Sequence, residues 1–170
     1  MAAYGCRMKM LFLLRHAKSS WKDKGLPDHD RPLNKRGRWD APNMGRLLQK
    51  EELVPDMILS STALRARDTA VIVAKSCHYK GQIAHVDSLY LGGPEAYLDA
   101  LRSLSDDFKS VLVVGHNPDL EELVMMLTEQ AEEIPTAALA QIRLPIEDWS
   151  TLSGETKGRL VRIWRPKELS

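Results

Sequence analysis

The sequence lacks most of what a membrane, secreted or fibrous protein needs. Its longest nearly apolar runs, residues 10–14 and 111–115, fall well short of the roughly 20 apolar residues of a membrane-crossing helix. No apolar stretch of signal-peptide length precedes residue 15. Cysteine is scarce: only Cys6 and Cys77 occur, in no motif. No structural disulfide is expected, and a reducing, cytoplasmic setting is the default. Net charge is only +1, with no footprint for bulk nucleic-acid binding. No repeat or low-complexity tract appears. The remaining balance, 44% hydrophobic and 28% charged over 170 residues, is that of one globular domain with a real core. Residues 1–8 read as a lead-in and residues 9–170 as the domain.

The small net charge hides an asymmetry. Residues 15–50 hold ten Lys/Arg against four Asp, while residues 119–133 hold six Asp/Glu and no Lys/Arg. Most of these charges belong to solvated helix faces, but part of the basic segment is suited to attract an anion. Short apolar runs at 9–14, 57–59, 83–86 and 111–114 read as buried strands. Amphipathic patterns at roughly 38–52, 63–77, 94–104 and 118–130 read as helices between and after them. Two further strands are predicted at 138–144 and 159–164. Alternating strand and helix implies a three-layer α/β/α domain. Its central sheet is mostly parallel, with an antiparallel edge near the C-terminus. Pro42 suggests that its helix starts near Asp40. Asn117 and the Ser60-Ser61-Thr62 run are predicted as helix N-caps.

Two of the parallel strands end alike. One runs into Arg15-His16, the other into Gly115-His116-Asn117-Pro118. Ligands of parallel α/β sheets sit beyond the carboxyl ends of the strands, so both histidines fall on that edge. The helix after the strand at 57–59 begins there too, and its free N–H groups suit a phosphate. Arg65 and Arg67 are two positions apart and point to nearly opposite sides of that helix, so only one can reach the crevice. Arginine forks match phosphoryl oxygens. A histidine whose other ring nitrogen is held can attack phosphorus. There is no P-loop and no H-E-x-x-H or paired-cysteine metal pattern; no metal or cofactor is expected.

Arg15-His16-Ala17-Lys18-Ser19, Arg31-Pro32-Leu33-Asn34 with Gly37, Leu64-Arg65-Ala66 with Thr69, and Gly115-His116-Asn117-Pro118 together resemble the histidine phosphatase superfamily, the phosphoglycerate-mutase-like group. Within it they are most similar to the SixA-type phosphohistidine phosphatase branch. The resemblance implies that His16 takes the phosphoryl group as nucleophile. It implies that Arg15 and Arg65 clamp the phosphoryl oxygens, and that His116 completes the pocket. Lys18 and Ser19 are weaker candidates for phosphate contact. Asp30, Arg31 and Asn34 also match the branch, and a structural role is expected for them.

The wider family carries a strong acid in its site. Here Asn117 follows His116, where the acid-phosphatase branch has Asp. The mutase glutamate has only weak counterparts in Glu95 and Asp87. A site rich in phosphate ligands and poor in acids suits a P–N bond better than a P–O bond, because a leaving imidazole takes its proton from solvent near neutral pH. The expected reaction is metal-independent removal of phosphate from phosphohistidine in a protein. The alternatives are a phosphomonoesterase or mutase for a small metabolite, or a weakly active phosphate-binding module. Only about thirty residues join the third strand region to the fourth, and little chain is left for a lid. This favours a phosphorylated protein as partner over an enclosed metabolite; neither nucleic acid nor membrane is expected to bind.

Overall fold

The computed structural model describes residues 7–169; Cys6 and most of the lead-in lie outside them. Strand β1 (Lys9–Arg15) is followed by helix α1 (Lys35–Lys50), β2 (Met57–Ser61), α2 (Leu64–Ser76) and β3 (Ile83–Val86). Then come α3 (Pro94–Arg102), β4 (Ser110–Gly115), α4 (Asp119–Thr128), β5 (Leu139–Leu144) and β6 (Arg159–Trp164). The six strands form one sheet in the order β3-β2-β4-β1-β5-β6. The first four are parallel, and β5 and β6 add an antiparallel edge.

The period of two along each central strand divides the core between the faces. Leu11 and Leu13 of β1 and Val111 and Val113 of β4 pack with Leu98, Leu120 and Leu123 of α3 and α4. Phe12, Leu14, Leu112 and Val114 turn the other way, onto Met44, Leu48, Ala66 and Val73 of α1 and α2. Because both faces are covered, β1 and β4 are continuous apolar runs rather than alternating ones. The parallel register sets Arg15 opposite Gly115, so His16 and His116, each one residue further on, leave the sheet side by side.

Three local expectations are corrected. Helix α1 starts at Lys35, with Pro42 in its interior. Asn34 caps it by accepting the Gly37 N–H, and Gly37, Asp40, Ala41 and Met44 are buried. A Cβ at residue 37 would strike the Lys18 carbonyl. This first turn is therefore anchored on the loop after β1, and tertiary packing offsets the lost proline hydrogen bond. Helix α4 begins at Asp119, and the Asn117 side chain does not cap it. Its amide donates instead to Glu121 Oε1 and the Ile134 carbonyl. Ser60, Ser61 and Thr62 are not caps of α2 either. Ser60 and Ser61 belong to β2, and Ala63 occupies the cap position without a side-chain bond.

Candidate active site

A cleft of about 400 Å³ opens at the carboxyl edge of the parallel strands. Arg15, His16, Lys18, Ser19, Arg65 and His116 all line it. The β1 and β4 ends supply the histidines, whose ring centroids lie 5.1 Å apart. The first turn of α2 supplies Arg65, which is only 7% exposed, while Arg67 faces solvent. A larger groove of about 520 Å³ runs beside α1, lined by Arg36, Trp39 and Lys50 among others. It contains no histidine or cysteine, and none of its lining residues lines the cleft at the ends of β1 and β4.

The His16 ring is held in one tautomer. Its Nδ1 lies 2.8 Å from the Ala17 carbonyl, which can only accept, so Nδ1 carries the proton and Nε2 keeps its lone pair. Burial pushes the imidazole down to about 3, with His116 and the arginines adding to the effect against the raising bond to Ala17. The ring is therefore neutral at physiological pH. The loop that carries it is pinned by Thr69, whose hydroxyl accepts from Ala17 N–H at 2.9 Å and donates to the Arg65 carbonyl at 2.7 Å. One threonine thus ties the His16 loop to the helix that bears Arg65.

His116 is also buried, and desolvation lowers it to about 4. Its Nε2 is 2.7 Å from Ser61 Oγ. Ser61 Oγ also accepts from Ala63 N–H; when its own proton is donated to Nε2, the His116 proton sits on Nδ1. That nitrogen is buried without a protein partner, as is Arg15 Nε. In that tautomer two buried N–H groups lack acceptors, which is costly. A tetrahedral oxyanion in this cleft offers the acceptors they need.

One carboxylate lines the cleft, and it is Asp28. Tyr90 donates to its Oδ2 at 2.7 Å, Arg65 to the same oxygen at 3.0 Å, and Arg31 to Oδ1 at 2.9 Å. The Tyr90 bond first, then the two arginines, hold this carboxyl well below the usual range. Arg65 also donates to the Asp28 main-chain carbonyl at 2.8 Å. Asp28 thus orients the guanidinium through two oxygens and remains ionised. Arg31 donates to Ser19 Oγ and to the Ser20 carbonyl as well. It lines the cleft and braces it, whereas Asn34 serves as the α1 cap. The two weak acid candidates do not line the cleft. Glu95 lies exposed on α3, 3.7 Å from Arg102, and Asp87 is exposed at the start of a short turn before Tyr90.

Sequence reasoning missed Asp28, Tyr90, Trp21 and Ser61. Asp28 stands three positions before Arg31, a spacing that hints at the first pair. Nothing in the sequence couples it to Arg65, 37 positions away. Among the described residues, no three His, Cys, Asp or Glu side chains converge as a metal site. No helix among them is long and apolar enough to cross a membrane.

A parallel sheet that ends in two buried histidines, with two arginines lining the same cleft, defines an α/β protein with a histidine- and arginine-lined cleft at the carboxyl edge of its strands. This chain belongs to the histidine phosphatase superfamily (branch 1), whose family model matches residues 11–89, and it groups with the SixA-type members. An uncharacterized chloroplastic protein of Arabidopsis thaliana is 31% identical to it, over 93% of this chain and 78% of that protein. A protein histidine phosphatase SixA complexed with tungstate superposes with a TM-score of 0.82 at 25% identity, covering 95% of this chain and 99% of the other. A candidate phosphohistidine phosphatase SixA from Agrobacterium tumefaciens gives 0.79 at 29% identity, covering 93% and 98%.

The depressed histidines have a consequence for pH. In the free protein the ring signals of His16 and His116 should not titrate near the ordinary 6.5; their midpoints are expected near 3 and 4. The unfolded chain then binds more protons than the folded one between about pH 6.5 and those values. Stability is therefore highest above pH 6.5 and falls as pH drops through that window. Histidine NMR titrations check the first statement. If either ring became charged near pH 6.5, the buried neutral state described above would be wrong.

Proposed function

We propose that the chain is a metal-independent phosphatase for phosphohistidine in proteins, working through a covalent phosphohistidine on His16. In this reading Nε2 of His16 attacks phosphorus while the P–N bond of the substrate breaks. The departing electron pair goes to the substrate imidazole nitrogen, which takes its proton from solvent. Water then attacks the phosphoryl group on His16, releasing phosphate and restoring the free ring. Arg15 and Arg65 balance charge on the equatorial oxygens, and His116 Nδ1–H donates to one of them. Lys18 adds positive charge at the mouth of the cleft, and Ser19 adds a hydroxyl held by Arg31.

The observation that carries this reading is the lack of a usable acid. The one carboxylate facing the cleft, Asp28, is kept ionised by Tyr90, Arg31 and Arg65. An alkoxide leaving group needs a proton donor in place. An imidazole, whose conjugate acid has a pKa of roughly 6.5, does not. The tungstate complex of the SixA relative supports the oxyanion reading, since tungstate is a tetrahedral oxyanion like phosphate.

The test is a substrate panel with and without a chelator. A phosphohistidine peptide and phosphoramidate should be hydrolysed faster than sugar or glycerate phosphates by at least about 100-fold, the low end of what a general acid contributes to ester cleavage. The chelator should change neither rate. Faster ester hydrolysis, or loss of activity with chelator, would overturn the reading.

A further inference from the structure

Two large apolar side chains stand exposed on the lip of the cleft. Trp21 is 72% exposed and Leu91 is 82% exposed, and both line the opening. Trp21 comes from the loop after β1 and Leu91 from the segment after β3. In the sheet, β2 and β4 lie between those strands, so the two residues reach the cleft from separate loops.

Single exposed apolar residues are common and need no special cause. Leu91 is different because it is unfavourable twice over. Its φ is +64°, in the left-handed region that suits glycine or asparagine, and it gains nothing from burial. Glu52, His78 and Glu129 also have positive φ, but each follows the end of an α-helix, where that conformation closes the last turn; Ala137 has it too, but is fully buried with its N–H bonded to the Arg15 and His16 carbonyls. Leu91 closes no α-helix. The following Gly92 lies so close to the Ser88 carbonyl that a Cβ there would clash, which sets where the loop runs. Trp21 is held in place as well. The Arg31 guanidinium lies over its ring, 3.2 Å from the centroid, and the same arginine is bonded to Asp28. A stacked, pre-positioned indole loses little freedom when something packs on it.

We propose that Trp21 and Leu91 are specificity-determining residues that contact the polypeptide flanking the phosphorylated side chain. This deepens the phosphohistidine reading and rests on it. The occupant is an extended or helical segment of the substrate protein. Its apolar neighbours cover Leu91 and the free face of Trp21 while its phosphoryl group reaches Arg15 and Arg65. Lys18, Arg31 and Arg65 line the same cleft, so positive charge draws in the phosphoryl group, and the two apolar contacts read what surrounds it. A small phosphoramidate has nothing to place on either side chain.

The test compares kcat/KM on a histidine-bearing protein, phosphorylated chemically with phosphoramidate, with kcat/KM on phosphoramidate itself. Leu91→Asn and Trp21→Ser should each lower the ratio of the two by about tenfold, what partial burial of one large apolar side chain supplies. Most of the change should be in KM for the protein. Leu91→Asn should also raise Tm, because asparagine tolerates positive φ better than leucine. Stabilisation together with poorer use of the protein substrate is not what a merely structural leucine would produce. An unchanged ratio in an active wild-type background overturns the lip alone. A wild-type chain inactive on every phosphohistidine substrate overturns the functional reading and the lip with it.

Discussion

Replacing His16 by alanine should lower turnover of a phosphohistidine substrate by about 10⁴-fold or more, in the range seen when a catalytic nucleophile is deleted. The fold should survive. The side chain makes one hydrogen bond, to the Ala17 carbonyl, while the backbone bond from His16 N–H to the Gly115 carbonyl is kept. The loss should therefore appear in kcat with an intact circular dichroism spectrum. Rapid quenching of the wild type with a phosphohistidine substrate should trap an acid-labile, base-stable label, absent from the variant. Retained activity in His16→Ala would remove this residue from the nucleophile role.

Arg65→Ala should cost about 10²–10³-fold in kcat/KM, in line with removal of one pre-positioned donor to a developing oxyanion. Arg67→Ala should stay within about twofold, as an exposed surface substitution does. The two residues are neighbours on one helix turn, with the same charge and propensity. What separates them is that Arg65 is buried, lines the cleft and is aligned by Asp28, whereas Arg67 is in solvent. Arg65→Lys should fall between, because it keeps the charge and loses the fork. Asp28 would still hold Arg31 and Tyr90 in Arg65→Ala, so the loop it belongs to should remain ordered. Equal losses from Arg65→Ala and Arg67→Ala would sink the clamp.

Much of this architecture is written in local patterns. Apolar runs bounded by polar residues mark β1 and β4 because strands buried on both faces must be apolar throughout. The histidines just after them are legible for the same reason, since a parallel strand has a defined functional end. The choice of Arg65 over Arg67 needed the family motif, and the structure shows what it means physically: one helix face turns in and the other out.

The misreadings share a cause. Pro42 argued for a late helix start on local grounds, but the Gly37 turn is packed against Lys18, and that contact lies outside any window of sequence. Asn117 carries the right chemistry for a cap, yet its Nδ2 is fixed on Glu121 and the Ile134 carbonyl, and in that orientation its Oδ1, the atom a cap would use, bonds to no helix N–H. Asp28 was overlooked because a loop carboxylate is ordinary until two arginines and a tyrosine, spread from residue 31 to residue 90, converge on it.

The sequence by itself determined the class of fold, the two histidines at the strand ends and the family. Each of these rests on patterns with short repeat lengths or on contiguous motifs. The tertiary structure alone decided the protonation chemistry. It makes both histidines neutral by burying them, sets the His16 tautomer through a carbonyl, and denies the cleft an acid by surrounding its one carboxylate with donors. Those outcomes depend on desolvation and on contacts between distant residues. Neither quantity exists until the chain has folded.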